Sequence, residues 1–145
     1  MKRIGTLSTL VAGALLVLTA GPALASDSAI SIGSKAAYLA RGAAVQVSVT
    51  YTCTPAPSPW NPDALISDVY LSVTISQAVK KGMITSASGE FRVPCTGAEE
   101  TATVVMTASE RAFVKGPAMA SAHGYDVDMS GAIILPSVQQ VIAVK

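Results

Sequence analysis

The chain has few of the residues that carry most enzyme chemistry. Its 145 residues include two cysteines and one histidine, and 5% are aromatic. A catalytic triad would have to use His123, and no serine-centred nucleophile elbow accompanies it. No glycine-rich phosphate loop follows an apolar run. We therefore expect a non-enzymatic protein without a cofactor or a bound metal.

Charge is also scarce, and the two signs nearly balance. Ten lysines and arginines stand against nine aspartates and glutamates. Without Lys2 and Arg3 the balance is eight against nine, a formal charge of −1. Such a chain predicts no basic footprint for nucleic acid and no polybasic membrane patch. Nucleic acid is therefore not an expected partner.

Long apolar runs are absent except near the first residue. Lys2-Arg3 precedes an apolar segment at 10–20, which ends before Pro22 and the small-residue triplet Ala23-Leu24-Ala25. This order is typical of a secretory signal peptide and predicts cleavage after Ala25. A spanning helix needs about 20 apolar residues, so we expect no stable membrane insertion after cleavage. The sequence predicts a signal peptide at 1–25 and one secreted, extracellular domain at 26–145.

A strict alternation of apolar and polar residues over 43–53 predicts the central strand. A period of two, rich in β-branched residues, is the pattern of a half-buried strand. The positions on its apolar side are Val45, Val47, Val49, Tyr51 and Cys53. Because Cys53 is in phase with the others, we expect its side chain to enter the same core.

A second strand-like segment, 90–95, places Phe91, Val93 and Cys95 on one side. Two inward cysteines on two strands predict one internal disulfide, Cys53 to Cys95. Export to an oxidising compartment makes this bond chemically favourable. A metal pair or a reactive thiol is the alternative, but neither cysteine has a second cysteine or a histidine close by in sequence.

Short strand-like segments separated by turn signals fill the rest of the chain. They cover 29–32, 35–40, 67–77, 83–87, 101–108 and 113–122, with a final strand over 132–145 that Pro136 either interrupts or divides in two. Turns are predicted at Gly33-Ser34, Lys80-Lys81-Gly82 and Ser88-Gly89. This pattern predicts an all-β, immunoglobulin-like antiparallel β-sandwich of seven to nine short strands.

Prolines alternate with small residues between Pro55 and Pro62, which predicts a stiff, extended loop. Trp60 is the one large side chain in this loop. Two interpretations stay open: Trp60 folds back over the sheet as a plug, or it is an exposed aromatic platform for a sugar ring, a peptide or another protein. In the second case Trp60 and Asn61 form the binding loop.

Two further features near the carboxyl end have both a structural and a functional interpretation. His123, Asp126 and Asp128 are three candidate cation ligands, but their spacing fits neither a zinc site nor an EF-hand, and a polar loop is the favoured interpretation. Upstream, the small residues Ala118, Ala120 and Ala122 share one face. They allow either close packing of two sheets or a ligand cavity.

Three segments carry a family resemblance. They are Val49-Thr50-Tyr51-Thr52-Cys53, Val93-Pro94-Cys95-Thr96-Gly97, and 113–122 with its central Gly116. They resemble uncharacterised small secreted immunoglobulin-like β-sandwich proteins of high-GC Gram-positive bacteria, over most of the mature chain. The resemblance implies a fold and a compartment, not an activity. The chain departs from a true immunoglobulin domain because Trp60 lies in a proline-rich loop instead of the following strand.

Together these features predict a secreted non-enzymatic module with an extracellular binding or surface-associated function. Its partner would be an extracellular protein, a glycan or a small molecule. The alternative is a small-molecule carrier with a cavity between the sheets, beside the alanine face.

Overall fold

In the computed structural model, residues 28–58, 61–126 and 133–145 are described, and they form seven β-strands. The strands are β1 (Ala29–Leu39), β2 (Ala44–Thr52), β3 (Asp68–Ala78), β4 (Ile84–Pro94), β5 (Glu99–Thr107), β6 (Gly116–Asp126) and β7 (Ile133–Val144). Two 3-10 turns, Ala40–Gly42 and Lys80–Gly82, connect β1 to β2 and β3 to β4. The all-β prediction is confirmed. The signal peptide predicted at 1–25 lies outside the described residues.

All seven strands belong to one sheet, in the order β4-β3-β6-β7-β1-β2-β5. Neighbouring strands are antiparallel except β1 and β7, which run parallel and pair Lys35 with Ala143. The sheet is rolled and nearly barrel-shaped, so the predicted pair of sheets is not clearly separated. The reason is that β1 pairs on both sides, with β2 and with β7, which makes the hydrogen bonding continuous. Within 28–58, 61–126 and 133–145, no helix is long and apolar enough to span a membrane.

The two edge strands, β4 and β5, approach each other at both ends of the roll. At one end the Ser109 amide donates to the carbonyl of Ser86 at 2.8 Å. At the other end Cys53, which follows β2, forms a disulfide with Cys95, which follows β4. The Gly97 amide also donates to the carbonyl of Cys53 at 2.8 Å. The predicted disulfide is confirmed, and it joins the end of one edge strand, β4, to the end of β2, the neighbour of the other edge strand.

The strand directions define two ends of the domain. The end that holds the Cys53–Cys95 bond, with the connections 53–67 and 95–98, is called the disulfide end. The connections 40–43, 79–83 and 108–115 lie at the opposite end together with Lys145. This end is called the lysine end.

The apolar sides of the strands form the core as the alternation predicts. Every predicted inward residue of the central strand is buried, and so are the in-phase residues of β3, Val69, Leu71, Val73 and Ile75. Phe91 is partly buried against this core, while Val93 and Cys95 are buried in it. The core therefore lies inside the roll, lined by one face of each strand.

Two predicted turns are wrong, because glycine serves packing or a bulge at those places. Gly89 lies in the middle of β4, where a Cβ would come within 2.7 Å of the Phe91 ring, so its missing side chain makes room for an aromatic one. Gly33 and Ser34 lie within β1, where the pairing with β2 shifts between Ile32 and Ala36. An irregularity of this kind bends a strand without ending it. The last strand, β7, likewise runs continuously through Pro136.

Phe113 closes the core at the lysine end. Its side chain is fully buried, and its amide donates to the carbonyl of Gly42 at 2.8 Å. A Cβ on Gly42 would lie 2.2 Å from the Phe113 carbonyl oxygen and 2.8 Å from the Tyr38 ring. Gly42 also has a φ of +87°, in the left-handed region, so both space and conformation require glycine.

Replacing Gly42 by alanine should therefore destabilise the fold strongly. Gly82 is a matched control, because its φ is +72° but nothing lies within 4 Å of a Cβ there. Gly82→Ala should lower the free energy of unfolding by about 1–2 kcal/mol from conformation alone. Gly42→Ala should lower it by at least twice as much, measured by urea denaturation. Equal losses in the two variants would contradict the close contact with Phe113.

The disulfide should supply a large part of the total stability. It spans 42 positions of sequence, and the chain-entropy model gives a loop of that length about 4 kcal/mol. Denaturation of the wild type and of Cys53→Ala/Cys95→Ala should show a loss of that order. Wild type measured in reducing agent serves as the control, and an unchanged midpoint in both samples would contradict this role.

Candidate functional site

Of the predicted binding loop, Asn61 is described and Trp60 is not. Asn61 is exposed, but its Oδ1 accepts from the Asp63 amide at 3.2 Å and its carbonyl accepts from the Ala64 amide at 2.9 Å. A bridge between Pro57 and Leu65 then brings the chain back on itself. Asn61 therefore stabilises a local turn at the disulfide end. The orientation of Trp60 lies outside the described residues.

The predicted cation ligands do not come together. His123 and Asp126 belong to β6, so the predicted polar loop is wrong up to residue 126. Asp126 is buried on the inner side, whereas His123 is half-buried on the outer side, because residues three apart on a strand point to opposite faces. Asp128 lies outside the described residues. Across the described ranges, no cluster of three or more histidine, cysteine or acidic side chains could hold a metal.

The alanine face of β6 lies inside the roll. Ala118, Ala120 and Ala122 are all buried members of the core. Small side chains at these positions allow β6 to sit close to its neighbours, which agrees with the close-packing interpretation of the sequence.

The outward side of β3, β4, β6 and β7, called the outer face, carries two distinct groups of side chains. Towards the disulfide end, Tyr70 of β3 pairs with Tyr125 of β6, and His123 lies one outward position further along β6. The ring centroids of Tyr70 and Tyr125 are 5.7 Å apart, and those of His123 and Tyr125 are 6.1 Å apart. These three residues form the aromatic cluster.

Charged side chains on β3 and β4 surround the aromatic cluster. A hydrogen bond to Glu90 raises the pKa of Tyr125, and desolvation and the Glu90 charge act in the same direction. Arg92 donates to Asp68 at 2.8 Å, and this hydrogen bond lowers the pKa of the Asp68 carboxyl. The pair is solvent-exposed and adds little stability. Tyr125 and the charged side chains beside the cluster are thus already engaged by protein partners.

Towards the lysine end, the outer face becomes apolar. Ile84 is 65% exposed, Met119 39% and Val141 64%. Met119 is paired with Ser76 on one side and with Val141 on the other, while Ile84 is paired with the exposed Ala78. The three large side chains, Ile84, Met119 and Val141, are called the apolar strip.

Two adjoining depressions follow the apolar strip. One, of about 290 Å³, is lined by Ala78, Ile84, Pro117, Met119 and Val141 among others. The second, of about 630 Å³, is lined by Val141, Ala143, Pro117, Lys115 and Lys145 among others. Pro117 and Val141 line both depressions, so the two are adjacent, and the second reaches Lys115 and Lys145.

Charge is separated between the two ends of the domain. The exposed cations of the lysine end are Lys35, Arg41, Lys80, Arg111, Lys115 and Lys145. Glu110 is the acidic side chain described there. The acidic residues Asp63, Asp68, Glu99, Glu100 and Asp126 lie at the disulfide end, where Arg92 is the described cation. A nearly neutral chain therefore carries one basic and one acidic end.

The connection that carries several of these groups is held rigidly. The buried Gln77 side chain donates from Nε2 to the carbonyls of Val114 at 2.8 Å and Pro117 at 3.1 Å, and its Oε1 accepts from the Val114 amide at 2.9 Å. Thr85 Oγ1 donates to the carbonyl of Arg111. With Phe113 buried between these anchors, the connection presents Val114 and Lys115 to solvent in a fixed position.

The amino-acid sequence matches no protein-family model and no curated protein.

The sequence pattern missed the apolar strip and the separation of charge. Tyr70, of the aromatic cluster, and Ser76, the neighbour of Met119, lie on the outward side of the strand predicted over 67–77. The register between β3, β6 and β7 is what places Met119 beside Val141. The sequence feature that could have revealed the apolar strip is the presence of two large apolar residues, Met119 and Val141, at outward positions of strands that otherwise alternate.

The link between Glu90 and Tyr125 can be tested by titration. Because the folded pKa of Tyr125 is raised above 10.0, its contribution to stability is present below pH 10 and is lost as pH rises through the folded pKa. Glu90→Gln replaces the charged hydrogen-bond acceptor by a weaker neutral one, so the Tyr125 pKa should fall part of the way towards 10.0 when followed by NMR of ¹³C-labelled tyrosine. Glu99→Gln, on the other edge strand, should leave it unchanged. An unchanged value in Glu90→Gln would refute the assignment.

Proposed function

We propose that this protein is an exported, non-enzymatic binding module that associates with a surface outside the cell, and that the apolar strip is its contact site. The observation that carries the proposal is the exposure of Ile84, Met119 and Val141 around one depression on the outer face, where Met119 and Val141 are direct neighbours. Adjacent exposed apolar side chains of this kind typically mark an interaction surface.

The free energy gained by burying the apolar strip is of the size expected for reversible association. Burying an exposed Val, Ile or Met side chain completely contributes about 1.5–3 kcal/mol, and less when part of it is already covered. Ile84 and Val141 remain about two-thirds exposed. Since these side chains stand on paired strands, little conformational entropy is lost on binding.

The aromatic cluster is less suited to be the contact site. Its three rings are half-buried and lie against one another, and the Tyr125 hydroxyl is engaged by Glu90. A ligand would have to displace these contacts. The side chains of the apolar strip carry no hydroxyl, amide or charged group, so a ligand that covers them displaces no side-chain hydrogen bond.

Export is supported by the disulfide and by the signal-like first 25 residues. Disulfides persist mainly in oxidising compartments, and Cys53 and Cys95 form one here.

A non-enzymatic role is supported by the positions of His123 and Asp126 on opposite faces of β6. This arrangement keeps the one histidine of the sequence away from that carboxylate.

The strand order also supports an immunoglobulin-like relationship. With the sheet bent at β1, the strands β4-β3-β6-β7 form one layer and β1-β2-β5 the other. The disulfide would then connect the two layers, because Cys53 follows β2 and Cys95 follows β4. In this interpretation the outer face is the exposed side of the four-stranded layer.

The proposal is tested by replacing the strip without disturbing the strands. Ile84→Thr/Val141→Thr keeps β-branching while it adds hydroxyls, so stability should change by less than about 1 kcal/mol. The measurement is the amount of protein retained on intact cells of the producing culture relative to the amount in the supernatant. From this ratio, the apparent affinity of the variant for the cells should be about tenfold lower than that of the wild type.

Val105 supplies the matched control. It is 53% exposed on β5, at the far margin of the sheet from the outer face, so Val105→Thr should leave cell association unchanged. A wild-type protein found entirely in the supernatant, or equal losses in both variants, would contradict the proposal.

A further inference from the structure

We infer that the lysine end, together with the apolar strip, docks on an anionic phospholipid bilayer. This inference rests on the proposed function and names the chemistry of the surface that the module contacts. It depends on two independent features, charge and apolar exposure, that meet at the same end of the domain.

Charge supplies the first step. The exposed cations of the lysine end come from separate elements: Lys35 from β1, Arg41 and Lys80 from the 3-10 turns, and Arg111 and Lys115 from the connection 108–115. The acidic residues lie mainly at the disulfide end. An anionic surface therefore attracts one end and repels the other, which orients the domain before contact. Each basic side chain near such a surface strengthens binding about fivefold.

Apolar exposure supplies the second step. Of the described large hydrophobic side chains that are exposed, Ile84, Val114, Met119 and Val141 lie towards the lysine end, Val105 lies on the edge strand β5 away from the outer face, and Leu65 lies at the disulfide end. The depression lined by Val141 and Ala143 reaches Lys115 and Lys145. Apolar side chains beside lysines match the boundary between acyl chains and anionic headgroups.

A bilayer satisfies both features, and the other candidates satisfy one. A second copy of the chain could offer its acidic end to the cations. Among the described residues, however, that end exposes one large hydrophobic side chain, Leu65, as a partner for the apolar strip. The apolar strip would then stay in water. A soluble polyanion would also neutralise the lysines and leave the strip uncovered. Anionic lipid provides negative charge and an apolar layer within a few ångströms of each other.

The test is sedimentation of the oxidised protein with vesicles of two compositions. Vesicles of phosphatidylglycerol and phosphatidylcholine in equal amounts should bind it, and vesicles of phosphatidylcholine alone should bind it at least tenfold more weakly. Added sodium chloride should weaken binding, because the attraction between exposed charges is screened. Equal binding to both compositions would overturn the inference.

Matched variants separate the two features. Lys80→Gln/Lys115→Gln/Lys145→Gln should weaken binding to the anionic vesicles about a hundredfold, at about fivefold for each lysine. Arg92→Gln, which removes a cation at the disulfide end, should leave binding unchanged. Val141→Thr should weaken binding severalfold, while Leu65→Thr, at a residue of equal exposure, 63% against 64%, should not.

Failure of the inference can be told apart from failure of the proposed function. Retention on producing cells without binding to anionic vesicles would overturn the lipid assignment and leave the binding module intact. Complete competition by dextran sulfate, with no effect of Val141→Thr, would replace the bilayer by a polyanion. Self-association of the free protein that is abolished by Lys115→Gln would assign the end to a second copy. Absence of both cell and vesicle binding would overturn both proposals.

Discussion

The double pairing of β1 is the constraint on which the rest of the structure depends. Through its antiparallel register with β2 and its parallel register with β7, β1 joins all seven strands into one sheet. The sheet rolls but does not close, which leaves β4 and β5 as edges. Exposed edges can pair with other chains. The Cys53–Cys95 bond, which ties β4 to β2 beside β5, and the Ser86–Ser109 hydrogen bond at the other end hold the two sides of the roll together.

The same connectivity separates the charges. In a sheet built mainly of antiparallel neighbours, successive connections alternate between the two ends. Arg41, Lys80 and Lys115 belong to three connections that all return to the lysine end, whereas Asp63 and Glu99 lie at the disulfide end. A chain with almost no net charge therefore has one basic end and one acidic end. The apolar strip is added at the basic end, because Met119 and Val141 are neighbours in the register of β6 and β7.

Local patterns predicted more of the fold than of the site. Alternation identified the central strand and β3, and the phase of Cys53 predicted the disulfide. Gly89 was misinterpreted because its role, making room for the Phe91 ring, is visible only after the strand has formed. The candidate site combines side chains from separate strands and connections, so its composition depends on register. Net charge predicted no basic surface, since a sum does not show where charges lie.

The central claim is that the molecule contacts its target through the lysine end. Carbene footprinting of the protein bound to producing cells, compared with the free protein, tests this most directly without altering any residue. The claim predicts that labelling falls at Ile84, Met119 and Val141 and stays constant at Leu65 and Arg92. Protection of Leu65, with Ile84 and Val141 labelled as in the free protein, would contradict it and move the contact to the disulfide end.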